Sequence, residues 1–208
     1  LENLNPHAII DFRDPKEVKM APDNLSPKLL EKYINLPISA STLSRMVSQK
    51  QINGDNIKSY EEVMEESYRM YINDHKKVWI KFFEILLQSN KRPIIFHCSA
   101  GKDRTGIASF MIQSIFNNHI DKIFENYLIS NDLLTIKAAT AEQKTNSSKQ
   151  DTQVTKNMLS TLGKVQTSYL NAAIDEIEKK YISLENYFIS QLGLKHNDIQ
   201  KIKQIFGN

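Results

Sequence analysis

One cysteine in 208 residues, Cys98, leaves no partner for an intramolecular disulfide. A chain of this length needs none, because it buries roughly two-thirds of its unfolded surface without a bridge or a structural metal. A lone cysteine does not report the redox compartment either. Long apolar runs are also lacking. The richest stretch, VWIKFFEILL at 78–87, is broken by Lys81 and Glu84 and falls short of the roughly 20 residues of a membrane helix. Charge of one sign is not in excess: 27 Lys and Arg against 24 Asp and Glu give +3, which argues against a general nucleic-acid binder. No basic start followed by an apolar core opens the chain at Leu1, so an export signal has been removed or was never present. No internal repeat is seen. What remains, 40% apolar and 25% charged, is the composition of a globular protein, and a single domain over 1–208 is expected.

The basic residues that matter are local. Lys91, Arg92, Lys102 and Arg104 face only Asp103 within residues 91–104, so an anion is the expected partner there. Lys91 and Arg92 also read simply as a solvated helix end.

Short β-branched runs punctuate a largely helical pattern. AIIDF at 8–12 reads as a buried strand delivering Asp11, Arg13 and Asp14 to a loop. YINLPI at 33–38 reads as a second strand, with Pro37 marking an edge or an end. Ser59 with Glu62 is a capping-box signature for a helix carrying Val63, Met64, Met70 and Tyr71. Asp74 opens another, whose Val78, Trp79, Phe82, Phe83, Leu86 and Leu87 form a core stripe. Arg92-Pro93 ends it, and Ile94-Ile95-Phe96 is expected as a central strand buried on both faces. After the polar loop that follows comes a helix with Ile107, Phe110, Met111, Ser114 and Ile115 on one side, and a further helix is expected over 121–130. The polar stretch 140–157 is expected as an exposed connection, helical spacing resumes at Met158, and two short helices follow, separated at Gly193. Strands set among helices predict an α/β domain with a central mixed or parallel sheet flanked by helices and a helical C-terminal part.

Between that third strand and its helix lies His97-Cys98-Ser99-Ala100-Gly101-Lys102-Asp103-Arg104-Thr105-Gly106. A loop turning sharply from strand to helix aims backbone N–H groups inward, and the helix N-terminus reinforces the concave anion site they form. A tetrahedral phosphate fits there, cradled by Ser99, Ala100, Gly101, Lys102, Asp103 and Arg104. Arg104 and Lys102 favour a thiolate at Cys98, the expected nucleophile. Arg104 offers paired planar donors that a lysine lacks. Thr105 is placed to hydrogen-bond the sulfur and ease its departure, and His97 to orient the loop. For Asp11 and Arg13 a structural ion pair and a direct role are equally open. His7, His75, His119 and His196 lack ligand spacing, so structural roles are expected. A nucleotide-binding loop is excluded because Asp103 follows Gly101-Lys102 and Phe96 stands five residues before Gly101. A thiol oxidoreductase would want a second cysteine.

HCSAGKDRTG resembles the signature loop of the cysteine-dependent tyrosine and dual-specificity phosphatases, in detail that of the bacterial tyrosine and lipid (phosphoinositide) phosphatase group. Ile9-Ile10-Asp11-Phe12-Arg13 with Glu17 resembles that group's early strand motif. Tyr127-Leu128-Ile129-Ser130-Asn131 resembles the segment after the signature helix, and Tyr169-Leu170 with QLGL its C-terminal helices. The likeness covers most of residues 8–206. It implies a two-step mechanism through a phosphocysteine with no cofactor and no metal, an acid inside the loop at Asp103 with Asp11 as the alternative, and Lys102 as a lipid-phosphate contact. Phosphotyrosine proteins or phosphoinositide head groups are the implied partners. It also implies that part of an N-terminal segment is missing, and it leaves secretion and a cytoplasmic location both open. A phosphate-binding module without turnover, an interaction protein, and an enzyme for the lipid alone are the competing readings.

Overall fold

The structure, a computed structural model, describes residues 1–39, 60–142 and 163–207. Three strands, β1 (Ala8–Asp11), β2 (Tyr33–Asn35) and β3 (Ile94–His97), form a parallel sheet in the order β2-β1-β3. Around them lie α1 (Pro15–Met20), α2 (Pro27–Leu30), α3 (Tyr60–Asn73), α4 (Lys76–Gln88), α5 (Asp103–Ile115), α6 (Ile120–Glu142), α7 (Thr167–Tyr181), α8 (Leu184–Ser190) and α9 (His196–Phe206). The chain is therefore an α/β protein with a small parallel sheet and a helical C-terminal part.

Parallel neighbours need crossovers, and the prolines of the first connection help build one. Pro15 and Pro27 each open a helix, where a missing N–H costs nothing. Asp14 caps α1 by accepting from the amides of Lys16 and Glu17 at 2.8 and 3.1 Å, and Glu17 returns a bond to the Asp14 amide at 2.9 Å. β2 lies at one edge of the described sheet and stops at Asn35, short of the 33–38 run expected as a strand and before Pro37, the residue that marked an edge or an end.

The expectation for Ile94–Phe96 needs correcting. β1, with all four residues buried, takes the centre of the described sheet, while β3 is half-buried and lies at its other edge. An apolar cleft of about 270 Å³ lies against Ile94 and Phe96 of this strand and is lined also by Leu86, Pro93, Ile112, Ile202 and Phe206. An apolar run announces a strand, but which strand lies between two others is decided by pairings remote in sequence.

Other boundaries moved. The helix after Asp74 starts at Lys76, with His75 at its N-cap. α6 runs to Glu142, well past residue 130 and into the stretch taken as an exposed connection. The Ser59 cap, residues 143–157 and the predicted helix start at Met158 lie outside the described residues. α7 begins at Thr167, and Gly193, at φ +71°, separates α8 from α9.

The core centres on aromatic rings. Phe12, fully buried just past β1, meets Trp79 and Phe82 at 5.6 Å each and Phe96 at 6.3 Å between centroids. In register, Asp11 lies opposite His97, and the Phe12 amide donates to the His97 carbonyl at 2.9 Å. The C-terminal ends of β1 and β3 therefore deliver Phe12-Arg13 and Cys98-Ser99 to the same end of the sheet, where ligands bind in parallel α/β folds.

Candidate active site

Cys98 leaves β3 nearly buried, at 7% exposure, while Ser99, Ala100 and Gly101 form an exposed rim. Gly101, at φ +73°, takes a left-handed conformation that side-chain residues seldom adopt, and the chain then turns into α5. The first turn of that helix brings Thr105 back over the cysteine. Its hydroxyl donates to Cys98 Sγ at 3.3 Å.

Arg104 is buried and fixed from several directions. Nη1 donates to the carbonyls of Ile38 and Phe12 at 3.1 and 3.3 Å, and Nη2 reaches Ser99 Oγ at 3.2 Å. Its strongest partner is Glu17, whose two oxygens take Nη1 and Nη2 at 2.6 and 2.7 Å in a paired fork. Ser99 Oγ also donates to Glu17. Burial opposes the charge on Glu17, yet the bonds from Arg104 and Ser99 together outweigh it and bring the carboxyl down to about 2.

Asp103 stands at the first position of α5 and is partly exposed. The Tyr68 hydroxyl donates to its Oδ1 at 2.9 Å, and Lys102 Nζ lies 3.3 Å from Oδ2. Lys102 is itself buried, and its ammonium also donates to the Lys164 carbonyl at 3.3 Å.

Asp11 faces Arg13 rather than Arg104 or Lys102. Arg13 Nε and Nη2 and the Arg13 amide all donate to it at 2.7–3.0 Å, and the Tyr33 hydroxyl adds a bond at 2.7 Å. Burial works against ionisation of Asp11, but these donors together hold the carboxyl below its ordinary range. A carboxylate so saturated has little proton to give, which favours the structural ion pair over an acid. Arg13 Nη2 also bonds Asp23 at 2.8 Å, and Asp23 lies 3.3 Å from His97 Nε2. The other ring nitrogen of His97 is 3.2 Å from the Cys98 carbonyl, so the ring bridges this ion cluster and the cysteine backbone. Asp11, Asp23 and His97 are the one group among the described residues close enough together to hold a metal ion. The guanidinium of Arg13 already supplies a positive charge to both carboxylates there.

The fold thus gathers Cys98, Ser99, Arg104 and Thr105 at one turn, sets Asp103 and Lys102 beside each other there, and keeps Asp11, Arg13 and His97 behind it. Sequence reasoning assigned no task to Glu17, Asp23, Tyr33 or Tyr68. The Asp14-x-x-Glu17 capping signal marks where α1 begins, but not what the other side of Glu17 meets.

The chain is 24% identical over 187 residues to a Cupriavidus necator protein whose name assigns it provisionally to the tyrosine-protein phosphatases, covering 90% of this chain and 66% of the relative. It is 26% identical over 180 residues to the triple specificity protein phosphatase of Mycobacterium tuberculosis, covering 79% and 64%. A shorter match, 32% over 71 residues, links 34% of the chain to 25% of an inositol diphosphatase of Saccharomyces cerevisiae. The chain spans just under two-thirds of the length of the first two. The model of the tyrosine phosphatase family matches residues 1–207, nearly the whole length, and this chain belongs to that family.

Proposed function

We propose that the protein hydrolyses phosphomonoesters through a phosphocysteine intermediate. Cys98 Sγ attacks phosphorus in line, the P–O bond to the leaving group breaks, and Asp103 gives its proton to the departing oxygen. Asp103 then takes a proton from water as the water oxygen attacks phosphorus and the P–S bond breaks. Thr105, already donating to the sulfur, stabilises the thiolate as it leaves. Arg104 and the loop from Ser99 to Arg104 hold the phosphoryl oxygens, whose contacts strengthen as charge spreads in the transition state. His97, Asp11 and Arg13 keep the two strand ends in register.

The observation that carries this reading is Thr105 Oγ1 against Cys98 Sγ at 3.3 Å, with Arg104 anchored at the same turn. p-Nitrophenyl phosphate turnover should vanish in Cys98→Ser and fall at least about 100-fold in Arg104→Ala. Hydrolysis that persists in Cys98→Ser would overturn the proposal. A phosphate-binding module without turnover would bind vanadate but release no phosphate in the wild type.

For substrates we favour phosphotyrosine proteins, with phosphoinositide head groups as a second class. The mycobacterial relative is named a protein phosphatase, in keeping with the first class, and the yeast relative an inositol diphosphatase, in keeping with a phosphorylated inositol ring. Lys102 tempers the lipid reading, since a second phosphate would have to draw its ammonium away from Asp103 and the Lys164 carbonyl. Phosphate release from phosphotyrosyl, phosphoseryl and phosphoinositide substrates, measured side by side, separates the classes.

A further inference from the structure

Tyr68 is fully buried on α3, 35 residues from Asp103, and a buried phenol must find a hydrogen-bond partner. It has one available without Asp103. Tyr127 on α6 places its hydroxyl 2.6 Å from that of Tyr68. A phenol owns one proton, and Tyr68 donates its proton to Asp103 Oδ1, so the proton between the two phenols belongs to Tyr127. The result is a directed chain, Tyr127 to Tyr68 to Asp103, running through the core to the first turn of α5.

Burial, joined by the charge of Asp103, pushes the Tyr68 phenol well above its ordinary value, so it remains a neutral donor. The approach of Tyr127 depends on a glycine. A Cβ built at Gly106 would lie 2.9 Å from Tyr127 Cε2, so a side chain there would force the ring away. One hydroxyl from α3, backed by one from α6, therefore meets Oδ1 of Asp103, while Lys102 stands by Oδ2 at 3.3 Å.

We infer that Tyr68, backed by Tyr127, is a positioning residue for Asp103: it engages Oδ1 and fixes the plane of the carboxyl group from which the proton is transferred. The inference rests on the reading of Asp103 as the acid that protonates the leaving oxygen. Neither tyrosine touches substrate. Their contribution is felt only when the leaving group needs that proton.

The test compares turnover of phenyl phosphate, a poor leaving group, with that of p-nitrophenyl phosphate, which departs with little help. Tyr68→Phe keeps the ring and removes the donor. It should slow phenyl phosphate about tenfold and p-nitrophenyl phosphate less than about twofold, a fraction of the roughly 100-fold or greater share of a general acid. Tyr127→Phe should show the same bias, about threefold. It carries the test if Tyr68→Phe does not fold. Asp103→Asn, run alongside, should show a larger bias, and adding Tyr68→Phe to it should produce no further bias. Equal losses on both substrates in the tyrosine variants, with the bias intact in Asp103→Asn, would reduce the tyrosines to packing and leave the acid assignment standing. No bias in Asp103→Asn would remove the acid assignment and this inference with it.

Discussion

The carboxylate of Glu17 lies between Ser99 and both Nη atoms of Arg104, and it holds the guanidinium beside Cys98 with its charge intact. Its carboxyl is lowered from 4.5 to about 2, so the sign of its linkage to stability is fixed. The contribution is fully present above pH 4.5, the ordinary value, and is lost as pH falls through 2. The Glu17 side chain is 25% exposed, so solvent screening reduces the yield to about 1–2 kcal/mol at neutral pH. Urea denaturation of wild type and Glu17→Gln should show that gap at pH 7 and convergence near pH 2. Parallel stability curves across that range would mean that the pair contributes no pH-dependent stability.

Between elements, a single amide does the work of a strand partner. Asn131 on α6 accepts from the Val165 amide at 2.8 Å and donates to the Val165 carbonyl at 3.0 Å, tying the lead-in of α7 to α6. Val165 is buried, so neither backbone group has water to replace the lost bonds. Asn131→Ala should cost about 1–3 kcal/mol, and amide exchange at Val165 should speed up far more than exchange in the middle of α7. Uniform acceleration along α7 would show that the tie is not local. Tyr187, donating to the Ile72 carbonyl at 3.0 Å, makes a comparable link from α8 to α3.

In the whole molecule, core and site share a residue. The Phe12 ring packs on Trp79, Phe82 and Phe96, its amide holds the His97 carbonyl, and its own carbonyl accepts from Arg104. Phe12→Ala empties the middle of that aromatic cluster and should cost about 3–5 kcal/mol in urea denaturation. A loss below about 1 kcal/mol would mean that the neighbouring rings close the space and that Phe12 does not organise the core. Among the described residues no helix is long and apolar enough to cross a membrane.

The sequence by itself determined what is local. A β-branched run, ten residues with a cysteine, an arginine and a threonine at fixed spacing, and apolar residues at helical spacing after it specify strand, turn and helix, because each depends on neighbours a few residues away. Hence the β1 and β3 segments, the α5 turn and the contact of Thr105 with Cys98 were legible. Tertiary structure alone decided that β1 rather than β3 is central, that Asp11 turns to Arg13 and Tyr33, and that Glu17 and Tyr68 reach the site from 87 and 35 residues away. These partners meet because packing of the sheet and helices brings buried charges and hydroxyls from distant segments within hydrogen-bond reach, and no periodicity along the chain encodes that choice.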